Sequence, residues 1–103
     1  MADETIEVLT REGKPWRVDR AKFEEMARAL MSVLPEEAPG VTVEAAKAAL
    51  LPGLDPDLFP GGAKAGWWLM AVQLDHRARG WIAVGGTRPV RIHRTGTGQW
   101  PPG

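Results

Sequence analysis

The chain opens with an alternating pattern of apolar and polar residues that predicts a β-hairpin over residues 5–18. Ile6 and Val8 alternate with polar neighbours, and a second alternating run around Trp16 follows a polar, glycine-containing turn. Pro15 has no amide hydrogen to donate to a ladder, so this hairpin is expected at a sheet edge. Because two strands alone are only marginally stable in water, we expect the hairpin to pack on the rest of the chain.

Two segments with helical spacing follow the hairpin. Asp19 is a good N-cap, because its carboxylate can accept hydrogen bonds from the free amides of the first turn. Apolar residues then recur every three or four positions until Pro35 ends the run, which predicts a buried stripe with Leu30 at its middle. Thr42 is the expected cap of a second, shorter helix that Pro52 ends.

A third helix is predicted to open at Gly61-Gly62 and to run to about Arg79, with Gly80 as a left-handed C-terminal cap. After Gly80 the pattern changes from helical to alternating. The change predicts two antiparallel strands at residues 81–84 and 90–93, joined by a glycine-containing turn.

Together these elements predict one α+β domain over residues 1–94. It comprises an N-terminal hairpin (5–18), three helices (19–80) and a C-terminal hairpin (81–94), and a flexible tail (95–103) follows it. A chain of 103 residues with 44% hydrophobic and 25% charged residues fits a globular domain with one modest core.

Composition narrows the possible chemistry. The chain has no cysteine, which excludes disulfides, thiolate metal sites and cysteine nucleophiles. It has no apolar run of about 18 residues, so we expect no membrane span and no membrane partner. The acidic N-terminal segment differs from a secretory signal, and a cytoplasmic protein is therefore expected.

The charges are unevenly distributed, although the formal net charge is zero. Residues 1–61 hold seven Lys/Arg and twelve Asp/Glu, whereas residues 62–103 hold six basic residues and Asp75 alone. This asymmetry indicates a partner surface. The alternative interpretation is that the two halves neutralise each other within one small fold.

The order of the elements resembles the winged helix-turn-helix superfamily over roughly residues 19–94. The most specific stretch is Val72-Gln-Leu-Asp-His-Arg-Ala-Arg-Gly-Trp-Ile, which looks like the end of a recognition helix running into the first strand of a wing. A second stretch, Leu58-Phe-Pro-Gly-Gly-Ala-Lys-Ala-Gly-Trp-Trp, is similar to a family of small, uncharacterised bacterial proteins. The second similarity implies no activity.

The superfamily resemblance implies a non-enzymatic module that binds duplex DNA, with the third helix in the major groove and the wing on the backbone or in the minor groove. Arginine and glutamine can bind guanine and adenine bidentately, and arginines on a wing suit phosphates. The corresponding positions in this chain are Lys64, Gln73, Arg77 and Arg79 on the helix, and Arg88, Arg91 and Arg94 on the wing.

The third helix nevertheless departs from a DNA-reading helix, because it is apolar on both sides. Counting back from Gly80 places the core positions at Leu69, Val72 and His76, which leaves an opposite face of Trp67, Met70, Ala71 and Leu74. The opposite rotation, with Trp67, Met70, Ala71, Leu74 and Ala78 toward the core, fits the spacing equally well.

The apolar outer face has two explanations. The N-terminal hairpin, with Trp16, can cover it as an extra layer. The second explanation is a surface for another protein or for a second copy of the chain, with Trp67, Trp68 and Met70 as the anchors, since Trp and Met are enriched at interfaces.

No combination of residues predicts an enzyme, a metal site or a cofactor. The two histidines, His76 and His93, have only Asp75 near them in sequence, and we expect a half-buried His76 and a surface His93. Ser32 lies late in a predicted amphipathic helix without a strained turn. The segment from Gly61 to Gly66 lacks the spacing and the hydroxyl of a phosphate-binding loop.

Overall fold

The N-terminal hairpin and a C-terminal sheet flank three helices in the computed structural model, which describes residues 4–86, 89–96 and 98. The fold is α+β with two small antiparallel sheets. In chain order the elements are β1 (Thr5–Leu9), β2 (Pro15–Asp19), α1 (Arg20–Val33), β3 (Val41–Thr42), α2 (Val43–Leu50), α3 (Ala65–Arg79), β4 (Ile82–Gly85) and β5 (Arg91–Arg94). Two 3-10 turns, Leu51–Gly53 and Pro60–Gly62, connect α2 to α3.

The predicted N-terminal hairpin is confirmed. Strands β1 and β2 pair antiparallel, with Ile6 opposite Val18 and Val8 opposite Trp16. Alternation places these four side chains on one face of the hairpin, and Ile6, Val8 and Val18 are buried in the common core. The hairpin therefore packs its apolar face on α1 and α3, as a two-stranded unit must to be stable.

The first two helices begin at the predicted caps. The Asp19 carboxylate accepts a hydrogen bond of 3.0 Å from the Lys22 amide, and the Thr42 hydroxyl accepts one of 3.1 Å from the Ala45 amide. Each cap satisfies an amide that has no partner within its helix. Leu30 is fully buried, so the predicted core stripe of α1 is confirmed.

The third helix begins later than the predicted Gly61-Gly62. Gly61 and Gly62 have φ angles of 62° and 75°, and Lys64, the N-cap residue of α3, has a φ of 61°. These left-handed conformations cannot continue into a right-handed helix, so regular geometry starts only at Ala65. At the other end, Gly80 has a φ of 81° and forms the predicted C-terminal cap.

The predicted C-terminal hairpin is present, and a short strand completes its sheet. Strands β4 and β5 pair antiparallel, and β3 pairs with the free side of β5, which gives the order β3-β5-β4. Strand β3 ends at Thr42, where the sequence predicted only the cap of α2. Gly40 precedes it with a φ of 87°, and a methyl group there would overlap the Ile92 carbonyl.

The chain remains attached to this sheet beyond β5. The Thr95 amide donates a hydrogen bond of 3.0 Å to the Trp81 carbonyl, and its hydroxyl donates one of 2.7 Å to the Gly80 carbonyl. The predicted tail from residue 95 is therefore anchored at its first position. Beyond Thr95 the structure describes Gly96 and Gly98, and the rest of the predicted tail, including Trp100, lies outside the described residues. Within the described ranges, none of the helices combines the length and the apolar character needed to cross a membrane.

Candidate functional site

One side of α3 faces the core, and the other side faces solvent. Leu69, Val72 and His76 are buried, whereas Trp67 and Met70 are 53% and 44% exposed. The rotation that turns Leu69, Val72 and His76 inward is therefore the one adopted. The opposite rotation, which turned Trp67 and Met70 toward the core, is wrong.

The outer side of α3 forms a groove with the hairpin. We call this site the aromatic groove, and its lining residues are Trp16, Trp67, Met70, Ala71 and Leu74. Its volume is about 130 Å³. The rings of Trp16 and Trp67 meet edge to face with centroids 5.8 Å apart. The hairpin thus forms one wall of the groove, but it does not cover Trp67 or Met70.

Trp68 does not belong to this surface, which corrects the prediction that paired it with Trp67 and Met70. It is only 8% exposed, and its ring meets Phe59 edge to face at a centroid distance of 6.4 Å. Successive residues of an α-helix are rotated by about 100°, and here this rotation turns Trp67 to solvent and Trp68 to the core. Trp68 is a core residue that supports Trp67, at a centroid distance of 4.9 Å.

Gln73, which the superfamily resemblance placed on a base edge, is also buried. It is 2% exposed, and its amide lies between two neighbours on the same helix. Its nitrogen donates to the Met70 sulfur at 3.5 Å, and its oxygen accepts from the Arg77 guanidinium at 3.2 Å. A side chain in this position cannot present its amide to a base, so we exclude Gln73 from the interface.

Arg79 is bound into a network around a buried carboxylate. Asp75 is fully buried; one oxygen lies 2.8 Å from the Arg79 Nε and 2.9 Å from the His76 Nδ1, and the other accepts from the Leu9 amide at 2.8 Å. The Arg79 guanidinium also lies over the Trp81 ring, 5.2 Å from its centroid. This network joins β1 to α3, and it explains why His76 is fully buried rather than half-buried.

The same contacts determine the ionisation of Asp75. Burial is the largest single effect and raises the pKa of this carboxyl, because it penalises the charged form. The hydrogen bonds from His76, Arg79 and the Leu9 amide together outweigh burial, and the net result is a lowered pKa. Asp75 is therefore a buried carboxylate held ionised by its donors.

The arginines of the C-terminal hairpin do not form one surface. Arg94 donates to the Leu34 carbonyl at 2.8 Å, and its guanidinium lies 3.6 Å from Glu36, so it ties β5 to the end of α1. Arg91 is an odd number of positions from Arg94 and therefore lies on the opposite face of the strand. Arg88 lies outside the described residues.

Two basic side chains lie along the α3 edge of the aromatic groove, and a third basic residue is the N-cap of the helix. The Lys47 ammonium lies 3.3 Å from the position that a Cβ of Gly66 would occupy, which places it against the first turn of α3. Gly66 and Arg77 are 11 positions apart, which is about three helical turns, so they lie on the same edge of α3. Lys47, which lies against Gly66, therefore shares this edge with Arg77. Lys64 lies at the N-terminal end of the helix. We call this set (Lys47, Lys64 and Arg77) the basic edge. No ion pair joins any of the three to a carboxylate within the described residues.

Sequence reasoning missed Lys47, because it lies in the acidic half of the chain. The remaining candidates for chemistry have ordinary structural contacts. Ser32 donates to the Ala29 carbonyl at 2.7 Å, and the His93 Nδ1 lies 2.9 Å from the Arg94 carbonyl oxygen. In the part of the chain that the structure describes, no group of three or more His, Asp or Glu side chains is arranged to hold a metal ion.

Comparison with known proteins identifies a family but no activity. The family model of DUF6958, a family of unknown function, matches residues 5–92. The match contains every residue of the aromatic groove and of the basic edge. No curated protein and no solved structure matches the chain.

Proposed function

The chain belongs to the DUF6958 family of unknown function, and we propose that it is a non-enzymatic module that binds a protein partner through the aromatic groove. The observation that carries the proposal is the exposure of Trp67 and Met70, at 53% and 44%, side by side in that groove. Covering them removes apolar surface from water, which is favourable by about 25 cal/mol per Å². Trp and Met are also residues that interfaces favour.

The geometry favours a protein over duplex DNA as the partner. Base edges in the major groove present donors and acceptors, whereas the solvent side of α3 presents an indole, a thioether and an aliphatic side chain. Of the polar residues expected to read bases, Gln73 is buried and Arg79 is bound to Asp75. Arg94, expected on the backbone, is bound to the end of α1.

Duplex DNA is the second candidate, because some of the basic residues expected to contact it form no ion pair within the described residues. These are Lys64, Arg77 and Arg91. We retain the winged-helix resemblance as a proposal, which the order of three helices leading into a C-terminal hairpin supports. A fold likeness alone carries no function. The proposal includes a cytoplasmic location, consistent with a sequence free of cysteine.

Site-specific photocrosslinking tests the proposal. A photoreactive phenylalanine analogue replaces Met70 in one variant and Val90, another exposed apolar residue at 40%, in the matched control. In cells that naturally produce the protein, we expect a discrete adduct with another polypeptide from position 70 only. Adding Leu74→Glu should abolish this adduct, because it places a charge in the groove. Absence of an adduct at position 70, or the same adduct at position 90, would contradict the proposal.

A salt titration tests the DNA candidate separately. Fluorescence anisotropy with a mixed-sequence duplex at two salt concentrations measures the slope of log affinity against log salt, which is about −0.9 per phosphate contacted. If duplex DNA binds, Arg91→Ala should flatten the slope by about one. Arg94→Ala should leave the slope unchanged, because Arg94 is occupied by Leu34 and Glu36. No binding at low salt would eliminate DNA.

A further inference from the structure

The shape of the aromatic groove indicates the secondary structure of its occupant. Trp67, Met70 and Leu74 follow one another at i, i+3 and i+7, and span about 10 Å at 1.5 Å per residue. A helix lying along the groove presents its own side chains at the same spacing. An extended segment would need unpaired backbone groups to pair with, and the amides in the middle of α3 are already bonded within the helix.

The basic edge indicates the charge of that occupant. Lys47 and Arg77 lie along one side of the groove, and Lys64 lies at the N-terminal end of α3. Within the described residues these cations have no carboxylate in ion-pair range, so they are available to carboxylates of a partner. We infer that the occupant is an amphipathic α-helix of another protein, with apolar residues at i, i+3 or i+4, and i+7 and carboxylates along one flank. This inference rests on the proposed function.

A second copy of the chain is a poorer occupant. In a symmetric two-fold interface the same patch meets itself, so both copies bring the same basic edge and neither brings a carboxylate among the residues that line the groove. Like charges across an interface oppose association. The structure therefore favours a partner of the opposite charge.

Single-stranded nucleic acid fits the basic edge but not the groove. Sequence-tolerant binding of single strands depends on aromatic rings on which successive bases stack. Met70, Ala71 and Leu74 form most of the α3 wall and have no ring. They suit aliphatic or aromatic side chains of a protein helix, which need only apolar contact.

Selection from a displayed library of random 16-residue peptides on the immobilised full chain tests the inference. A parallel selection uses the Leu74→Glu variant, and thermal unfolding of both proteins checks that each is folded. We expect the peptides enriched on the natural chain alone to be acidic and to repeat apolar residues at helical spacing. Groove-dependent peptides that are neutral or basic, or that lack this spacing, would overturn the inference while leaving the proposed function standing.

If no peptide depends on the groove, the proposed function itself fails.

Where the selection yields groove-dependent peptides, the strongest of them is synthesised for affinity measurements. Trp67→Ala should weaken its binding about 30-fold or more, as expected for a central aromatic anchor. Lys47→Ala and Arg77→Ala should each weaken it about two- to fivefold, an effect that added salt reduces, whereas Lys22→Ala on α1 is the matched control with no effect. Equal affinity in Lys47→Ala, Arg77→Ala and the natural chain would overturn the charge assignment.

Two further measurements address the other occupants. Analytical ultracentrifugation of the free chain should give a monomer, and a dimer that Met70→Glu dissociates would overturn the inference in favour of a second copy. Anisotropy with a labelled oligothymidine at low salt should show no dependence on Trp67. Binding of the oligothymidine that Trp67→Ala abolishes would overturn it in favour of a single-stranded nucleic acid.

Discussion

Replacing Asp75 with asparagine should destabilise the fold strongly, although the two side chains have almost the same size. Asp75 is fully buried, and its two oxygens accept from three donors: the Leu9 amide, the His76 ring and the Arg79 guanidinium. An asparagine offers only one acceptor oxygen. Its NH₂ group must then face one of the donors, so at least one hydrogen bond becomes a contact between two donors.

The magnitude follows from the burial of the network. Removing one partner of a buried ion pair typically costs about 3–5 kcal/mol, because the other partner remains in a site of low dielectric. The Arg79 side chain keeps 20% exposure, so water can solvate part of its charge and the lower end of that range applies. We expect Asp75→Asn to lower the free energy of unfolding by about 3 kcal/mol. Domains of this size have about 5–15 kcal/mol in total.

Urea denaturation at pH 7, followed by circular dichroism, measures the change. Asp57→Asn is the matched control, because Asp57 is exposed and its carboxylate forms no ion pair within the described residues. This control should change the free energy of unfolding by less than about 0.5 kcal/mol. A loss below about 1 kcal/mol for Asp75→Asn would show that this carboxylate does not hold β1 on α3.

The pH dependence of stability provides a second measurement on the same variant. The pKa of Asp75 is lowered in the folded chain from its ordinary value of 3.8, so the unfolded state binds more protons in the acid range. The resulting stabilisation is present above about pH 4 and is lost as pH falls through the folded pKa. Asp75→Asn should therefore flatten the acid limb of the stability curve. An unchanged acid limb would contradict the conclusion that folding lowers the pKa of Asp75.

Three further substitutions test the packing. Trp68→Ala should lower the free energy of unfolding by about 3–5 kcal/mol, and Trp67→Ala should lower it by about 1 kcal/mol. Equal losses in urea denaturation would contradict the assignment of the Trp68 ring to the core and the Trp67 ring to solvent. Gly40→Ala should lower the melting temperature much more than Gly13→Ala. Both glycines have a positive φ, but only Gly40 lies against backbone atoms of another strand. Equal shifts in melting temperature would contradict this difference in packing. Leu30→Ala should cost about 2–5 kcal/mol in urea, and a loss within about 0.5 kcal/mol would show that the α1 stripe is not core.

The parts of the fold that could be predicted from the sequence are those determined by local chemistry. The Asp19 and Thr42 side chains and the Gly80 backbone act on their own neighbours, so their caps are visible as single residues. Periodicity likewise located α1 and the two hairpins. For α3, periodicity permitted two rotations, because the helix is apolar on both sides, and only packing against the hairpin and α1 selected between them.

The features that sequence reasoning missed depend on contacts between distant residues. Strand β3 has two residues, which is too short for any periodic signal, and it exists because β5 offers a free edge. The bond from Leu9 to Asp75 joins residues 66 positions apart. Lys47 becomes part of the basic edge only because α2 packs beside Gly66. A charge count along the chain cannot detect such a neighbour.

Methionine methyl NMR detects whether a protein segment binds at Met70 and its groove. The full chain, labelled at its methionine methyl groups, is titrated with the strongest peptide from the selection. The Met70 methyl resonance should shift with peptide concentration, while the resonance of Met26, a fully buried residue of α1, should stay in place. A titration in which Met70 does not move, or in which Met26 moves equally, would contradict binding at the aromatic groove.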